Sequence, residues 1–479
     1  MKIKRILSCL LLLCLVINLC ACRKKANLNS ELSNSHPTLN TNKVVEEESS
    51  EIENTSEPVE APRKPSGTVS VPSKVETAQA PVSEPVPEVT PVWQPKNLSN
   101  MKCIWLSQYD MNKIYCEKGK QQKQSTYEKT VSRVLDQIKS CGFNTVFLQM
   151  RPFADSMYPS EYYPPSYIVV GQYGKEFNYD PIKIFINEAH KRDISVHAWI
   201  NPMRAVTDEQ IKLIDNKYVI KQWYNSPEKL NKYLVYVGNR WYLNPAYEEV
   251  RQLIINGAVE IALKYSVDGI HMDDYFYPTT DASFDESAYS AYLSSGGILS
   301  LADFRRDCLN CLIRGMYSAI KGINGNLIYG ISPAGNYYTV YNEQYADIYS
   351  WCSNSGYIDY ICPQVYFGLE HQTFDFKTVC QKWQEMITPQ SGVKLMIGMT
   401  LGKALSEVDA DAGTGGDEWR NHKDILKNCL LYTKQLNCCV GVSYFSYQYF
   451  YEPVSGNSIT KTEAERNNFL PVLADISWQ

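Results

Sequence analysis

Residues 268–278 read DGIHMDDYFYP, a short apolar run ending in two adjacent carboxylates, Asp273 and Asp274, then three aromatics and a proline. Acids in a solvated turn need no strand to aim them, so a strand that delivers two of them marks a candidate acid–base site. Side chains alternate along a strand. With Ile270 facing outward, His271 and Asp273 face inward and Asp274 begins the loop. Hydrolysis of a glycosidic bond uses that chemistry: one carboxyl protonates the leaving oxygen, and a second acts as nucleophile or activates water. Asp273 is the first candidate, with Asp274 as its partner or support. Spacing leaves the second acid open among Asp155, Glu161, Glu370 and Glu418. His271 either tunes or shares the acid–base work or is a satisfied core histidine. Arg151 and Arg204 suit a substrate carboxylate held by parallel hydrogen bonds, or they pair structurally with the aspartates. No cofactor or metal is required, since protons and carboxylates suffice, although His271, Asp273 and Asp274 together also read as a metal set.

These side chains must be positioned by regular elements. From residue 101 onward, short apolar runs alternate with amphipathic ones. Strands are expected at 102–107, 144–150, 194–200, 268–273, 327–332, 359–364, 394–399 and 439–445. Helices are expected near 126–140, 181–192, 246–265, 300–320, 343–355, 376–387, 422–435 and 462–474. In the third helix Val250, Ile254, Ala258, Ile261 and Tyr265 form a mostly apolar stripe at helical spacing. Short apolar strands separated by helices imply parallel strands with crossover connections. The alternation fits a (β/α)8 barrel, a TIM barrel, with long βα loops. A doubly wound sheet is the competitor, but WLSQYDM after the first strand lacks the glycines of a phosphate-binding turn.

Functional groups of such a barrel gather where strands end. In chain order those ends carry Trp105 and Asp110; Gln149, Arg151 and Asp155; Trp199, Asn201 and Arg204; His271, Asp273 and Asp274; Ser332; Gln364 and Tyr366, then Glu370; Lys403, then Asp417, Glu418 and Trp419; and Tyr444, Ser446 and Tyr447. Trp105, Trp199 and Tyr277 are candidate surfaces for stacking a sugar ring. Gln149, Asn201, Gln364 and Tyr366 are candidate polar and aromatic substrate contacts.

The chain has 479 residues, 44% of them apolar, and a net charge of −5. That charge offers no bulk attraction to nucleic acid. The 35 tyrosines and 9 tryptophans suit a polysaccharide partner as well as core packing. MKIKR followed by ILSCLLLLCLVINLCAC reads as a secretory leader over residues 1–22. Its end, Leu19-Cys20-Ala21-Cys22, resembles a bacterial lipobox, which implies cleavage before Cys22 and lipidation of its thiol. The expectation is an exported protein anchored to a membrane by lipid. Residues 23–97 are rich in Pro, Ser and Glu and read as a disordered linker, a coil of about 50 Å root-mean-square span. The folded domain is expected over 98–479. Four of the 15 cysteines lie in the leader, and the remaining 11 are an odd number that cannot all pair internally. Cys103, Cys362 and Cys439 sit in strand-like runs as small hydrophobes.

Several blocks taken together carry a resemblance. VFLQMRPFADSMYPSEYYPPS (146–166), FINEAHKRDISVHAWINPMR (185–204), WYLNPAYEEVRQLI (241–254), VDGIHMDDYFYP (267–278), GISP (330–333) and GYIDYICPQVYFG (356–368) resemble, in order, the bacterial glycosyl hydrolase-like 10 family. The resemblance covers about residues 101 to 450. It implies a (β/α)8 barrel, hydrolysis of glycosidic bonds, and action on peptidoglycan glycan, notably strands stripped of stem peptides. Asp155, Asn201, Arg204, Asp273, Asp274 and Gln364 fall on its motif positions. Ala154 stands where a glycine is common. The strand also distantly resembles the chitinase pattern Asp-Gly-x-Asp-x-Asp-x-Glu, but His271 replaces an earlier Asp and Tyr275 replaces the catalytic Glu. The acetamido-assisted chitinase mechanism is therefore not expected. The expectation is an envelope glycosidase cleaving β-1,4 bonds. The alternatives are a glycosidase for another polysaccharide and a non-catalytic glycan-binding lipoprotein.

Overall fold

The computed structural model describes residues 94–96 and 99–478. The leader, Cys22 and almost all of the linker lie outside the described residues. Eight strands, β1 (Met101–Leu106), β2 (Thr145–Arg151), β3 (Ser195–Ile200), β4 (Gly269–Met272), β5 (Ile328–Ile331), β6 (Tyr360–Ile361), β7 (Lys394–Thr400) and β8 (Cys439–Phe445), form a closed barrel in sequence order. All eight pairings are parallel. Closure is made by β1 against β8, with Met101 opposite Gly441 and Ile104 opposite Tyr444. Eight helices follow the strands one by one: α1 (Gln124–Ser140), α2 (Pro181–His190), α3 (Glu248–Lys264), α4 (Leu301–Ile323), α5 (Ile348–Ser353), α6 (Phe376–Glu385), α7 (Ile425–Thr433) and α8 (Glu463–Asp475). Every expected strand and helix is present, and the barrel expected from the sequence is the fold. Among the described residues no helix is long and apolar enough to cross a membrane.

A strand with helices on one face and the barrel interior on the other is buried on both, so β2 is buried at all seven positions. The two faces form separate apolar groups. Met101, Cys103, Trp105, Phe147, Trp199, Tyr360, Cys362 and Met396 fill the interior, while Ile104, Val146, Ala198 and Ile270 join the layer beneath the helices. Ile270 thus faces outward and His271 inward, as the alternation requires. Helix starts follow local chemistry. Asp180, Ser300 and Asp375 accept backbone N–H groups at the first turns of α2, α4 and α6, which satisfies donors that a helix cannot pair internally.

Several elements are trimmed at their ends, and two are less than half the expected length. Strand β6 pairs over only two residues because Pro363 has no N–H to continue the ladder, and Gln364 then makes isolated bridges to Ala334 and Gly398. The helix expected over 343–355 begins at Ile348, since Tyr345 takes a left-handed conformation, φ 57°, that a helix cannot include. The long segments after β1 and β3 are not featureless. The first contains a helix, Gln108–Tyr115, and a small hairpin, and the second two short helices and the hairpin Leu234–Val237/Arg240–Leu243. The eleven cysteines from Cys103 onward are free, and Cys103, Cys362 and Cys439 are buried.

Candidate active site

The C-terminal ends of the strands surround a cavity of about 240 Å³. Its walls are Trp105, Ser107, Gln108 and Tyr109 from β1 and its loop, Gln149 from β2, Trp199 and Arg204 from β3, Asp273, Asp274 and Tyr275 from β4, Gln364 and Tyr366 from β6, and Phe445 from β8. Aromatic faces and a few aimed polar groups are the usual lining of a small-ligand site.

Asp273 follows the last paired residue of β4 and is 2% exposed. Its Oδ2 accepts the indole N–H of Trp199 at 3.0 Å and the amide N–H of Asn201. Its Oδ1 accepts the backbone N–H of Tyr275 at 3.3 Å. Asn201 is itself held by Gln149, whose Nε2 donates to Asn201 Oδ1 at 2.7 Å and whose Oε1 accepts the Gln108 N–H at 2.6 Å. Four consecutive walls of the barrel therefore fix one carboxylate. Asp274 stands closer to solvent and bonds to the Gln364 side chain, which also donates to the Ser332 carbonyl at 2.9 Å. Burial raises both carboxyls above the ordinary range. The charge of Asp274 raises Asp273 further, against the pull of Arg204. Two acids so close titrate as a pair, which can hold one proton and one charge at a pH where isolated carboxyls are ionised. Burial and the neighbouring charge raise Asp273 more than Asp274, but three N–H donors aimed at its oxygens stabilise its charged form, and on that ground the charge is placed on Asp273 and the proton on Asp274.

His271 lies beneath the cavity and does not line it. Its ring stacks on Phe147 with centroids 4.0 Å apart. Trp105 Nε1 is 3.2 Å from His271 Nε2, and Tyr360 Oη is 2.7 Å from Nδ1. An indole N–H can only donate, so Nε2 is the acceptor and Nδ1–H donates to Tyr360. The hydroxyl of Tyr360 then reaches His197 Nδ1 at 3.3 Å. Burial, and then His197, drive His271 well below its usual range, so it stays neutral. The bland reading of this histidine holds: it is a satisfied core group that orients Trp105.

Arg204 lines the cavity with its guanidinium 3.6 Å from the centroid of the Tyr275 ring and 4.7 Å from that of Phe153. Arg151 does not reach the cavity. It is buried against Tyr163, 4.4 Å from the ring centroid, under α3 at Gly257, where any Cβ would collide with it. All four expected second acids are also placed elsewhere. Asp155 is fully buried and accepts the Phe153 N–H at 2.9 Å and the Tyr173 hydroxyl at 2.8 Å, so it ties its own loop. The residue before it, Ala154, has φ 50°, the left-handed region that explains why glycine suits this position. Glu418 is buried and accepts the backbone N–H groups of Leu369 and Glu370 at 2.8 and 3.0 Å, joining two loops. Glu370 is exposed, with an oxygen 3.7 Å from His422. Glu161 is also exposed. Tyr277 is buried between Phe284 and Tyr345, with Arg305 over its ring, and offers no stacking surface. The structure thus brings together Asp273, Asp274, Trp105, Gln149, Trp199, Arg204, Gln364 and Tyr366, with Asn201 supporting from behind.

Tyr109, Tyr275, Gln108 and Phe445 were not singled out as substrate contacts. Their signal was position alone: each lies within three residues of a strand end or of the acid pair. Gln108 is nearly buried, and its Oε1 has no hydrogen-bond partner, which leaves an acceptor at the cavity wall. Among the described residues no three His, Cys, Asp or Glu side chains are grouped as a metal site.

Comparison with known proteins adds to this geometry. The family model described as Glycosyl hydrolase-like 10 matches residues 100–412. Glycosyl hydrolase YngK of Bacillus subtilis (strain 168) is 29% identical over 366 residues, covering 72% of this chain and 68% of that protein. Glycosyl hydrolase DigH of Escherichia coli (strain K12) is 31% identical over 287 residues, 56% of this chain and 64% of that one. The chain therefore spans about two thirds of the length of these relatives. Among solved structures, a cold-adapted beta-galactosidase from Rahnella sp. R3 matches with a TM-score of 0.50 at 12% identity, over 80% of this chain and 58% of that one. A likeness at that identity speaks to the barrel fold alone.

Proposed function

The chain belongs to the glycosyl hydrolase-like 10 family, and on that premise we propose that this glycoside hydrolase cleaves β-1,4 bonds of peptidoglycan glycan strands, with peptide-stripped strands as the favoured form. The observation that carries the reading is the Asp273–Asp274 pair at the mouth of an aromatic-walled cavity. A sugar ring stacks on the tryptophan and tyrosine faces. Asp274 delivers the proton to the leaving oxygen, and Asp273, held by Trp199, Asn201 and the Tyr275 N–H, supplies the fixed negative charge that an oxocarbenium-like transition state requires. Arg204 supports an anionic sugar, since its planar fork suits the lactyl carboxylate of a muramyl residue.

The secretory leader and Cys22 favour a lipid-anchored protein on the outer face of a membrane, with residues 23–97 as the tether that lets the barrel reach glycan. The test is direct. The full chain in detergent is incubated with peptide-free glycan strands, and products are read by mass spectrometry. Fragments each heavier by one water are expected from the wild type. Asp273→Asn and Asp274→Asn should each lower kcat/KM at least about a hundredfold, on the order of 3 kcal/mol of transition-state stabilisation. Intact strands with the wild type, followed by cleavage of a different glycan, would move the substrate. Glycan binding without cleavage, unaffected by Asp273→Asn, would replace the enzyme by a binding protein.

A further inference from the structure

We infer that the nucleophile of the reaction is the 2-acetamido group of the substrate's own sugar, with Asp274 as acid and base and Asp273 as the acceptor of the acetamido N–H. This rests on the glycosidase reading above and deepens it by requiring a 2-acetamido sugar on the non-leaving side of the bond.

Of the side chains lining the cavity, only Asp273 and Asp274 carry carboxyl groups. They are consecutive residues at the end of one strand, so both approach a bound sugar from the β4 wall. A protein nucleophile must attack C1 from the face opposite the leaving group, and a protein base must activate water on that same face. The other walls present aromatic rings, amides, a hydroxyl and a guanidinium there, and no acid. Asp155 and Glu418 are occupied with loop backbones and Glu370 lies outside the cavity. With no acid on the opposite wall, the group already on the sugar beside C1 remains.

Asp273 has the form that such a group needs. Three N–H donors fix its two oxygens and leave acceptor capacity on Oδ1. An immobile carboxylate that takes the amide N–H orients the acetamido carbonyl oxygen and stabilises the positive charge the amide acquires. In the first step that oxygen forms a bond to C1. The C1–O glycosidic bond breaks with its electron pair going to the leaving oxygen, which takes the proton of Asp274. An oxazolinium ring results, its N–H held by Asp273. In the second step water adds to C1 and gives its proton to Asp274. The ring C1–O bond breaks, its electron pair restores the acetamido carbonyl, and C1 keeps its configuration. Tyr275 in place of the chitinase acid rules out that constellation, the ground on which acetamido assistance is not expected from the sequence, but assistance itself needs only an acid that reaches the leaving oxygen. The acid here is one residue earlier.

The full chain in detergent, acting on peptide-free strands, tests this with three readouts. Retained configuration at C1 is expected by NMR during early turnover. An N-acetylglucosamine thiazoline, a stable mimic of the oxazoline, should inhibit competitively. Substrates carrying mono-, di- and trifluoroacetyl groups should be cleaved progressively more slowly, at least about tenfold per step, because each fluorine weakens the carbonyl oxygen as a nucleophile while keeping the N–H. Inverted products overturn the inference and leave the glycosidase reading standing. So do retained products with a flat fluoroacetyl series, or a trapped covalent sugar on an aspartate or glutamate. No cleavage of any acetylated glycan overturns both.

Discussion

At the residue scale, the orientation of Trp105 depends on a histidine that touches no substrate. The indole N–H has one acceptor, His271 Nε2, inside an apolar barrel. Replacing the imidazole by a phenyl ring keeps the stack on Phe147 and removes that acceptor. A buried donor left unpaired costs about 1–3 kcal/mol. His271→Phe is therefore expected to lower stability by that amount, read from a urea midpoint. It should also weaken glycan binding, read as a rise in KM larger than the fall in kcat, since Trp105 loses its fixed plane. His271 is neutral across the physiological range, so the variant should leave the shape of the pH profile unchanged. A lost limb between pH 5 and 8 would instead return His271 to the acid–base machinery. The aspartates, the aromatics at strand ends and Arg204 were legible as residue types. What they touch was not.

At the element scale, the barrel closes where β8 meets β1, and a glycine sits at the seam. A Cβ on Gly441 would run into the backbone carbonyl of Met101, its partner in the register. No flexible side chain can yield there, so Gly441→Ala should destabilise by about 1–3 kcal/mol through overpacking. Gly322, in the last turn of α4, has open space around its Cβ position. Gly322→Ala should be neutral or stabilising by up to about 1 kcal/mol, from helix propensity. Thermal denaturation of the two variants side by side checks the contrast, and equal shifts would remove the steric account of the seam. The expected strands and helices reappear because each pattern is local: a strand buried on both faces is apolar throughout, and a helix on a sheet is apolar on one stripe. The departures at β6 and α5 come from single residues, Pro363 and Tyr345, acting on the backbone.

At the scale of the whole molecule, two buried carboxyls outside the site link stability to pH. Asp110, bonded to Ser107 and to the Gln448 N–H just beyond β8, is raised by burial to about 6. Glu465 on α8, which accepts the Leu426 N–H at 2.5 Å, is raised by burial to about 7. Both lie above their unfolded values of about 4, so at these two groups the folded state holds more protons than the unfolded chain between about pH 4 and 7. The stability these two groups contribute must then fall as pH rises through that window and level off above it, while His197 and His271, held neutral by burial, act in the opposite sense below about pH 6.5. Each carboxyl contributes on the order of 3 kcal/mol. Glu465→Gln, which keeps a carbonyl acceptor for Leu426, should therefore lower the urea midpoint at pH 5 relative to that at pH 8, compared with the same difference in the unsubstituted chain. An unchanged difference would clear Glu465 of the effect.

From the sequence alone came the barrel, its eight repeats, and the strand that carries the acid pair, because burial periodicity is a local property that eight successive units repeat. The same reading left four acids competing for the second role and took Arg151 and Tyr277 as substrate contacts. Only the tertiary structure decided among them. A loop side chain's position depends on partners far along the chain, as Glu418 shows by accepting N–H groups from Leu369 and Glu370, and as Arg151 shows by packing beneath Gly257. No periodicity encodes such distant pairings, so which carboxylates share the cavity follows from how the loops pack across the barrel's mouth.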